Sequence, residues 1–125
     1  MKVAIIGAGN MGGAIALGMA KGTIVNAKNI VVADPSKANL DRLIQQVPEM
    51  NTTANNAEAV KDADIVILAV KPWLVEIVLK DLPLKEQQIL VSIAAGVSTE
   101  KLAGYTNNGM TIFRLIPNTA ISQMA

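Results

Sequence analysis

Val3-Ala-Ile-Ile-Gly-Ala-Gly-Asn-Met-Gly-Gly13 is the stretch on which the fold turns. With the residue before it, the run Lys2-Val-Ala-Ile-Ile-Gly7 is short and apolar, the composition of a strand buried on both faces. From Met11 to Lys21 the chain carries Ala, Ile, Leu and Met, which suit a helix, and Gly22 stands where a helix stop is expected. Between the two, Gly7, Gly9 and Gly12 match G-x-G-x-x-G in the context that motif requires, after a strand and opening a helix. Each glycine has its own physical reason. Gly7 allows a tight turn, Gly9 lets backbone approach a pyrophosphate, and Gly12 lets the helix pack close to the strand. The helix start then offers N–H groups and a partial positive charge to an anion.

A second reading exists for the same run. Positions 3 to 20 carry no charge, and Lys2 and Lys21 flank them, as in a signal peptide or a marginal membrane span. Gly7, Gly9, Gly12, Gly13, Gly18 and Asn10 interrupt the run, which favours strand, turn and helix.

Outward from this unit, strand and helix signals alternate. Asn29-Ile-Val-Val-Ala-Asp34 reads as a second strand, and Pro35 suits the first turn of a helix with Asp34 as its cap. Leu40, Leu43, Ile44 and Val47 share one face of that helix, which Pro48 ends. Residues 50–53 form a short strand candidate, and Asn55-Asn-Ala-Glu58 resembles a capping pattern that opens a helix through Val60. Asp64-Ile-Val-Ile-Leu-Ala-Val70 is a buried strand, with Pro72 starting a helix that continues to Lys80. Gln88-Ile-Leu-Val-Ser-Ile93 is the fifth strand, followed by a helix from a Ser98 cap to Ala103. Met110-Thr-Ile-Phe-Arg-Leu-Ile116 is the sixth, stopped by Pro117. Alternation of this kind, with nearly continuous apolar strands, predicts an α/β fold. It is a Rossmann-like, doubly wound parallel sheet of six strands in the order 3-2-1-4-5-6, covered on both faces.

Composition narrows the chemistry. At 125 residues the chain allows one domain, and 51% hydrophobic residues supply its core. Aromatics are 2%, too few for stacking platforms, and 11 basic residues nearly cancel 10 acidic ones. Neither nucleic acid nor a membrane surface is expected as a partner. With no Cys and no His, disulfides, Cys/His zinc sites and imidazole triads are excluded. No Asp/Glu cluster suggests a carboxylate metal site, so no metal is expected, and the absence of Cys fits a cytoplasmic protein.

In such a sheet the ligand binds outside the carboxyl ends of the strands. The loop tips there are Gly7, Ala8, Gly9, Asn10, Met11 and Gly12; Asp34; Ala69, Val70, Lys71 and Pro72; Ala94, Ala95 and Gly96; and Asn118. Asp34 has two readings. It can accept both ribose hydroxyls of adenosine, which favours NADH, or it can cap the following helix. If its side chain turns away, Ser36 and Lys37 can receive a 2′-phosphate, so NADPH and NADH both stay open, with a slight lean to NADH. Lys71 is the one charge at the end of its strand, placed for ribose or phosphate or simply solvated. Ala94, Ala95 and Gly96 form a small backbone-rich surface for a flat nicotinamide, or a plain tight turn. Asn56 faces adenosine or opens its helix, and Asn118 gives an amide to a ligand or shapes a turn. None of these makes a convincing proton donor or acceptor, so no catalytic residue is assigned.

Four segments in order give the chain a specific resemblance: Ile-Gly-Ala-Gly-Asn-Met-Gly-Gly (6–13), Ala-Val-Lys-Pro (69–72), Val-Ser-Ile-Ala-Ala-Gly-Val (91–97) and Arg-Leu-Ile-Pro-Asn-Thr (114–119). Over essentially its whole length it resembles the N-terminal domain of the pyrroline-5-carboxylate reductases. The resemblance implies reduction of the ring C=N of 1-pyrroline-5-carboxylate to proline with NAD(P)H. It implies a dinucleotide on residues 7–12, the turn at Asp34 and Ser36, Asn56, residues 69–72 and residues 94–96, with Asn118 near nicotinamide and substrate. It also implies a C-terminal helical domain, absent from these 125 residues, through which the full-length protein forms a homo-oligomer built on dimers. The isolated chain is then expected to bind dinucleotide weakly and turn over little. Two departures stand out: Asp34, where the family often has neutral or basic residues, and Ile116-Pro-Asn-Thr-Ala120 in place of Met-Pro-Asn-Thr-Pro. The competing readings are a β-hydroxyacid-type dehydrogenase domain and a non-enzymatic nucleotide-sensing domain.

Overall fold

Val3, Ala4, Ile5 and Ile6 are each at most 1% exposed, and this burial on both faces puts the first strand at the centre of the molecule. The computed structural model describes residues 1–22, 25–106 and 109–115. In it β1 (Val3–Ile6) pairs in parallel with β2 (Ile30–Ala33) on one side and β4 (Ile65–Leu68) on the other. β3 (Asn51–Thr53) extends the sheet beyond β2, and β5 (Ile89–Ser92) and β6 (Thr111–Arg114) extend it beyond β4. The order is β3-β2-β1-β4-β5-β6, all parallel, as the alternation predicts.

The strand period of two sorts the core into two layers. Val3, Ile5, Ile30 and Val32 face one side, where α1 (Asn10–Lys21) and α2 (Lys37–Gln46) cover them with Ala16, Leu40 and Leu43. Ala4, Ile6, Val66, Leu68 and Leu90 face the other. There α3 (Asn56–Val60), α4 (Val75–Asp81) and α5 (Thr99–Thr106) supply Val60, Val75, Leu79 and Leu102. Each fully buried Ile, Leu or Val contributes about 1.5–3 kcal/mol of transfer free energy, so these layers dominate stability.

The elements depart from the sequence reading in four places. Asp34 does not cap α2. Ser36 does, its side chain accepting from Asn39 N–H at 3.3 Å, so the helix starts two residues further on, at Lys37, while the Asp34 carboxylate is taken up by the amides of Ala8 and Ser36. Pro72 opens a 3₁₀ turn (Pro72–Leu74) before α4, and a second such turn (Ala27–Asn29) precedes β2. The cover of β6 is one-sided. Ile112 packs into the α5 layer, whereas Phe113 on the opposite face is 55% exposed. Residues 116–118, expected to finish β6 and supply Asn118, lie outside the described residues.

One buried polar side chain ties the lower half together. Gln88, 3% exposed, donates through Nε2 to the carbonyls of Val60 at 2.7 Å and Ala63 at 2.8 Å, and its Oε1 accepts from Lys85 N–H at 2.9 Å. It thus satisfies the end of α3 and the entry to β5 at once. Gln88→Leu keeps the volume but takes this partner from the Ala63 carbonyl and Lys85 N–H, at about 1–3 kcal/mol for each that stays buried, while Val60 O keeps its bond from Ala63 N–H at 3.2 Å. We expect thermal denaturation to show a loss of about 10 °C. A shift under about 3 °C would mean that water replaces the amide.

Candidate functional site

The ladder continues past the strand ends and sets three loops side by side. Gly7 N–H donates to Ala33 O at 2.8 Å, Ala69 N–H to Ile6 O at 2.8 Å, and Ile93 N–H to Leu68 O at 3.1 Å. The turns after β1, β4 and β5 therefore share one edge of the sheet, its carboxyl edge. A cavity of about 460 Å³ opens there, lined by Gly7, Gly9, Asn10, Met11, Asp34, Ala69, Val70, Lys71, Pro72, Ile93, Ala94 and Ala95.

The glycine loop is built as the motif requires. Gly7 has φ 109°, a conformation L side chains rarely adopt, and a Cβ there would stand 2.6 Å from Ala69 O. A Cβ at Gly12 would overlap the Gly7 carbonyl oxygen, so α1 approaches the loop as closely as backbone allows. At Gly9 a Cβ would meet nothing within 4 Å: that glycine borders open space. Gly9 is the N-cap of α1, and the helix has neither a side-chain cap nor an acidic residue in its first turn. Its positive end is left to whatever occupies the cavity.

Asp34 reaches the site differently from either expectation. Its side chain is turned into the protein. Oδ2 accepts from Ala8 N–H at 2.6 Å and Oδ1 from Ser36 N–H at 2.7 Å, and the residue is 8% exposed. Turning away in this fashion is the condition under which Ser36, half-buried, and Lys37, exposed, can meet a 2′-phosphate. Lys71 is exposed on the cavity rim at the start of the 3₁₀ turn, whose Leu74 N–H donates to Lys71 O at 2.9 Å. Ala94 is held by the buried Ser92 hydroxyl, which accepts its N–H at 3.3 Å, and Gly96 turns the chain at φ 77°.

Not every expected residue lines this cavity. Ala8 lies buried in the loop that walls it, and Gly12 in the first turn of α1. Asn56 lines a separate groove of about 530 Å³ between the start of α3 and α4, with Asn55, Ile77 and Asp81. The cap of α3 is Asn55, which accepts from Glu58 N–H at 3.2 Å, and Asn56 is the residue that opens the helix. Asn118 lies outside the described residues. The sequence reading missed Ile93, which lines the cavity, and a smaller hollow of about 290 Å³ between α1 and α2. Asn39, Arg42 and Gln46 line that hollow beside Gly9 and Asn10, and Arg42 donates to Asn39 Oδ1 at 2.9 Å. The three-residue spacing of Asn39 and Arg42 on one helix was the available signal.

Among the described residues no group of three or more His, Cys, Asp or Glu side chains is placed to hold a metal. No helix among them is long and apolar enough to cross a membrane. Outside the site, Glu76 accepts from Lys80 at 2.7 Å on the exposed face of α4, and that hydrogen bond and the carboxylate charge raise the Lys80 pKa.

Comparison with known proteins adds to this geometry. The family described as NADP oxidoreductase, coenzyme F420-dependent, matches residues 2–96. A pyrroline-5-carboxylate reductase of Pseudomonas aeruginosa is 36% identical over 120 residues, covering 94% of this chain and 43% of the relative. The solved pyrroline-5-carboxylate reductase of Coxiella burnetii superposes with a TM-score of 0.88 at 30% identity, over 98% of this chain and 46% of that one. The Plasmodium falciparum pyrroline carboxylate reductase, solved with NADP bound, gives a TM-score of 0.83 at 29% identity, over 98% of this chain and 44% of that one. The chain spans less than half the length of these proteins.

Proposed function

The chain belongs to the family described as NADP oxidoreductase, coenzyme F420-dependent, and from that premise we propose that it is the dinucleotide-binding domain of a pyrroline-5-carboxylate reductase. One observation carries the reading: the uncapped start of α1 and the open side of Gly9 face the same cavity as the loops after β4 and β5. That is the shape and polarity a pyrophosphate needs.

In this reading the amides of residues 9–12 hold the pyrophosphate, and Lys71 adds a cation beside ribose or phosphate. Ala94, Ala95 and Gly96 give the nicotinamide a surface without bulky side chains. Asn56 lies on the adenosine side, and Ser36 with Lys37 meets the 2′-phosphate of NADPH. With Asp34 turned inward, the ground for preferring NADH is gone, and NADPH is the proposed cofactor. When bound, the dinucleotide supplies the hydride. The protein's share is to hold donor and acceptor in register and to keep water from between them. A cationic ring imine accepts hydride with little help from a side-chain acid, which suits a chain with no His and no Cys.

The relatives are more than twice as long, which supports a further helical domain that completes the substrate site and makes the homo-oligomer. The absence of Cys supports a cytoplasmic protein. The test is oxidation of NADPH and NADH, followed at the nicotinamide absorbance, by the gene product that carries this sequence. We expect oxidation that depends on 1-pyrroline-5-carboxylate and is faster with NADPH. Oxidation with a β-keto acid but not the imine would select a hydroxyacid dehydrogenase. Binding of dinucleotide with neither reaction would select a nucleotide-sensing domain.

A further inference from the structure

We propose that Asp34 is a positioning residue: its carboxylate straps the glycine loop to the β2–α2 turn in one preformed shape and does not receive the ribose hydroxyls. The inference rests on the cofactor reading above only for what the loop is shaped to hold.

Asp34 ties its own turn to Ala8, 26 residues earlier in sequence. Oδ2 holds Ala8 N–H at 2.6 Å, and Oδ1 holds Ser36 N–H at 2.7 Å. Both partners follow from the local sequence. The left-handed backbone at Gly7 turns the chain immediately before Ala8. Pro35 has no N–H, so the first amide beyond Asp34 is that of Ser36. Ser36 in turn caps α2 through Asn39 N–H, so the strap reaches from the start of the loop to the start of that helix. Only Asp offers two short acceptor oxygens here. Asn has one and would set its NH₂ group against an N–H, and Ser has one. At 8% exposure little of the carboxylate is left to face a ribose, and accepting a diol there would release the amides that shape the loop. Ala8 directly precedes Gly9 and the amides at the start of α1, so an error in its position is passed on to them.

The test compares wild-type protein with Asp34→Asn. Without dinucleotide, the Ala8 and Ser36 amide protons of the wild type should exchange on the order of 100-fold more slowly than an unprotected amide, and D34N should expose at least one of them. In titrations followed by Trp73 fluorescence, D34N should weaken NADPH and NADH together, by about tenfold, with the ratio of the two Kd values unchanged within about threefold. Gln88→Leu, which destabilises the protein away from the loop, should lower the thermal midpoint and leave both Kd values alone. That separates positioning from general stability. A change of more than about tenfold in the ratio, with Ala8 exchange unaltered, would overturn the proposal and return Asp34 to the ribose. Unchanged affinity for both cofactors would overturn it too. If D34N does not fold, the wild type alone decides: the Ala8 amide must stay protected when NADH is added, and its release would mean that the carboxylate leaves for the ribose. Protected amides that D34N exposes, with no binding of either dinucleotide, would support the strap and overturn the cofactor reading, so the two fail separately.

Discussion

Gly12→Ala is expected to lower the thermal midpoint by at least about 10 °C. The added Cβ would overlap the carbonyl oxygen of Gly7 and stand 3.1 Å from the Ala69 Cβ. Neither neighbour can yield cheaply. Gly7 is held by its N–H bond to Ala33 O, and Ala69 by its N–H bond to Ile6 O, both at 2.8 Å. Relief therefore means lifting α1 away from the sheet and opening the layer that holds Ala16, Leu40 and Leu43. Overpacking a well-filled core costs about 1–3 kcal/mol, and a backbone obstacle puts this case at or above the upper end. Against a total of about 5–15 kcal/mol that is a large share. Gly18→Ala is the internal contrast. It lies in the same helix, a Cβ there meets nothing within 4 Å, and helix propensity favours Ala by about 1 kcal/mol. Far-ultraviolet circular dichroism on heating should show the two variants moving in opposite directions. A Gly12→Ala midpoint within about 2 °C of wild type would mean that the close approach of α1 is not needed.

The architecture was legible because its signals are redundant. Residues 3–6 and 65–68 are so apolar that only a two-sided environment suits them, and each is followed by a turn and a helix. Parallel pairing and right-handed crossovers then leave few orders for six strands. What escaped was set by single atoms. Asp34 and Ser36 are both good caps, and the choice between them depends on Pro35 and on the Ala8 amide that reaches Asp34 from far along the chain. The one-sided cover of β6 is hidden for a similar reason. Phe113 and Ile112 are both apolar, and their alternation does not say which face a helix will cover.

The candidate site was legible in its loops and less so in its side-chain directions. G-x-G-x-x-G specifies backbone, and backbone needs can be read from which residues lack a Cβ. Lys71 and Ala94 followed from their places at strand ends, where topology alone decides what is adjacent. The orientation of Asp34 is a matter of side-chain torsion. A carboxylate at that place can reach outward to a ribose or inward to two amides, and the sequence is the same in both cases. The groove that holds Asn56 and the hollow beside Arg42 depend on how neighbouring helices pack; the spacing of Asn39 and Arg42 puts the two on one helix face but does not say what that face meets.

Gly9→Ala should weaken dinucleotide binding by about 100-fold while leaving the fold in place. The backbone at Gly9, φ −70° and ψ −162°, suits an L residue, and its Cβ would touch no protein atom within 4 Å. Loss of a glycine N-cap costs from a few tenths to about 1 kcal/mol, so the thermal midpoint should drop by no more than about 4 °C. The space the methyl enters is where a pyrophosphate would meet the amides at the start of α1. A phosphate displaced from those donors forfeits charge-assisted hydrogen bonds worth about 1.5–3 kcal/mol each, and the loss of one or two accounts for the factor of 100. Calorimetric titration with NADPH reads the affinity, and thermal unfolding of the same sample reads the fold. Gly9 and Gly12 belong to one motif, three residues apart, yet the structure gives them separate tasks: Gly12 is closed against protein, and Gly9 is open to the cavity. If Gly9→Ala binds NADPH as tightly as wild type, nothing anionic approaches that side of the loop. The cradle is then a structural turn, and the placement of the pyrophosphate against Gly9 fails with it.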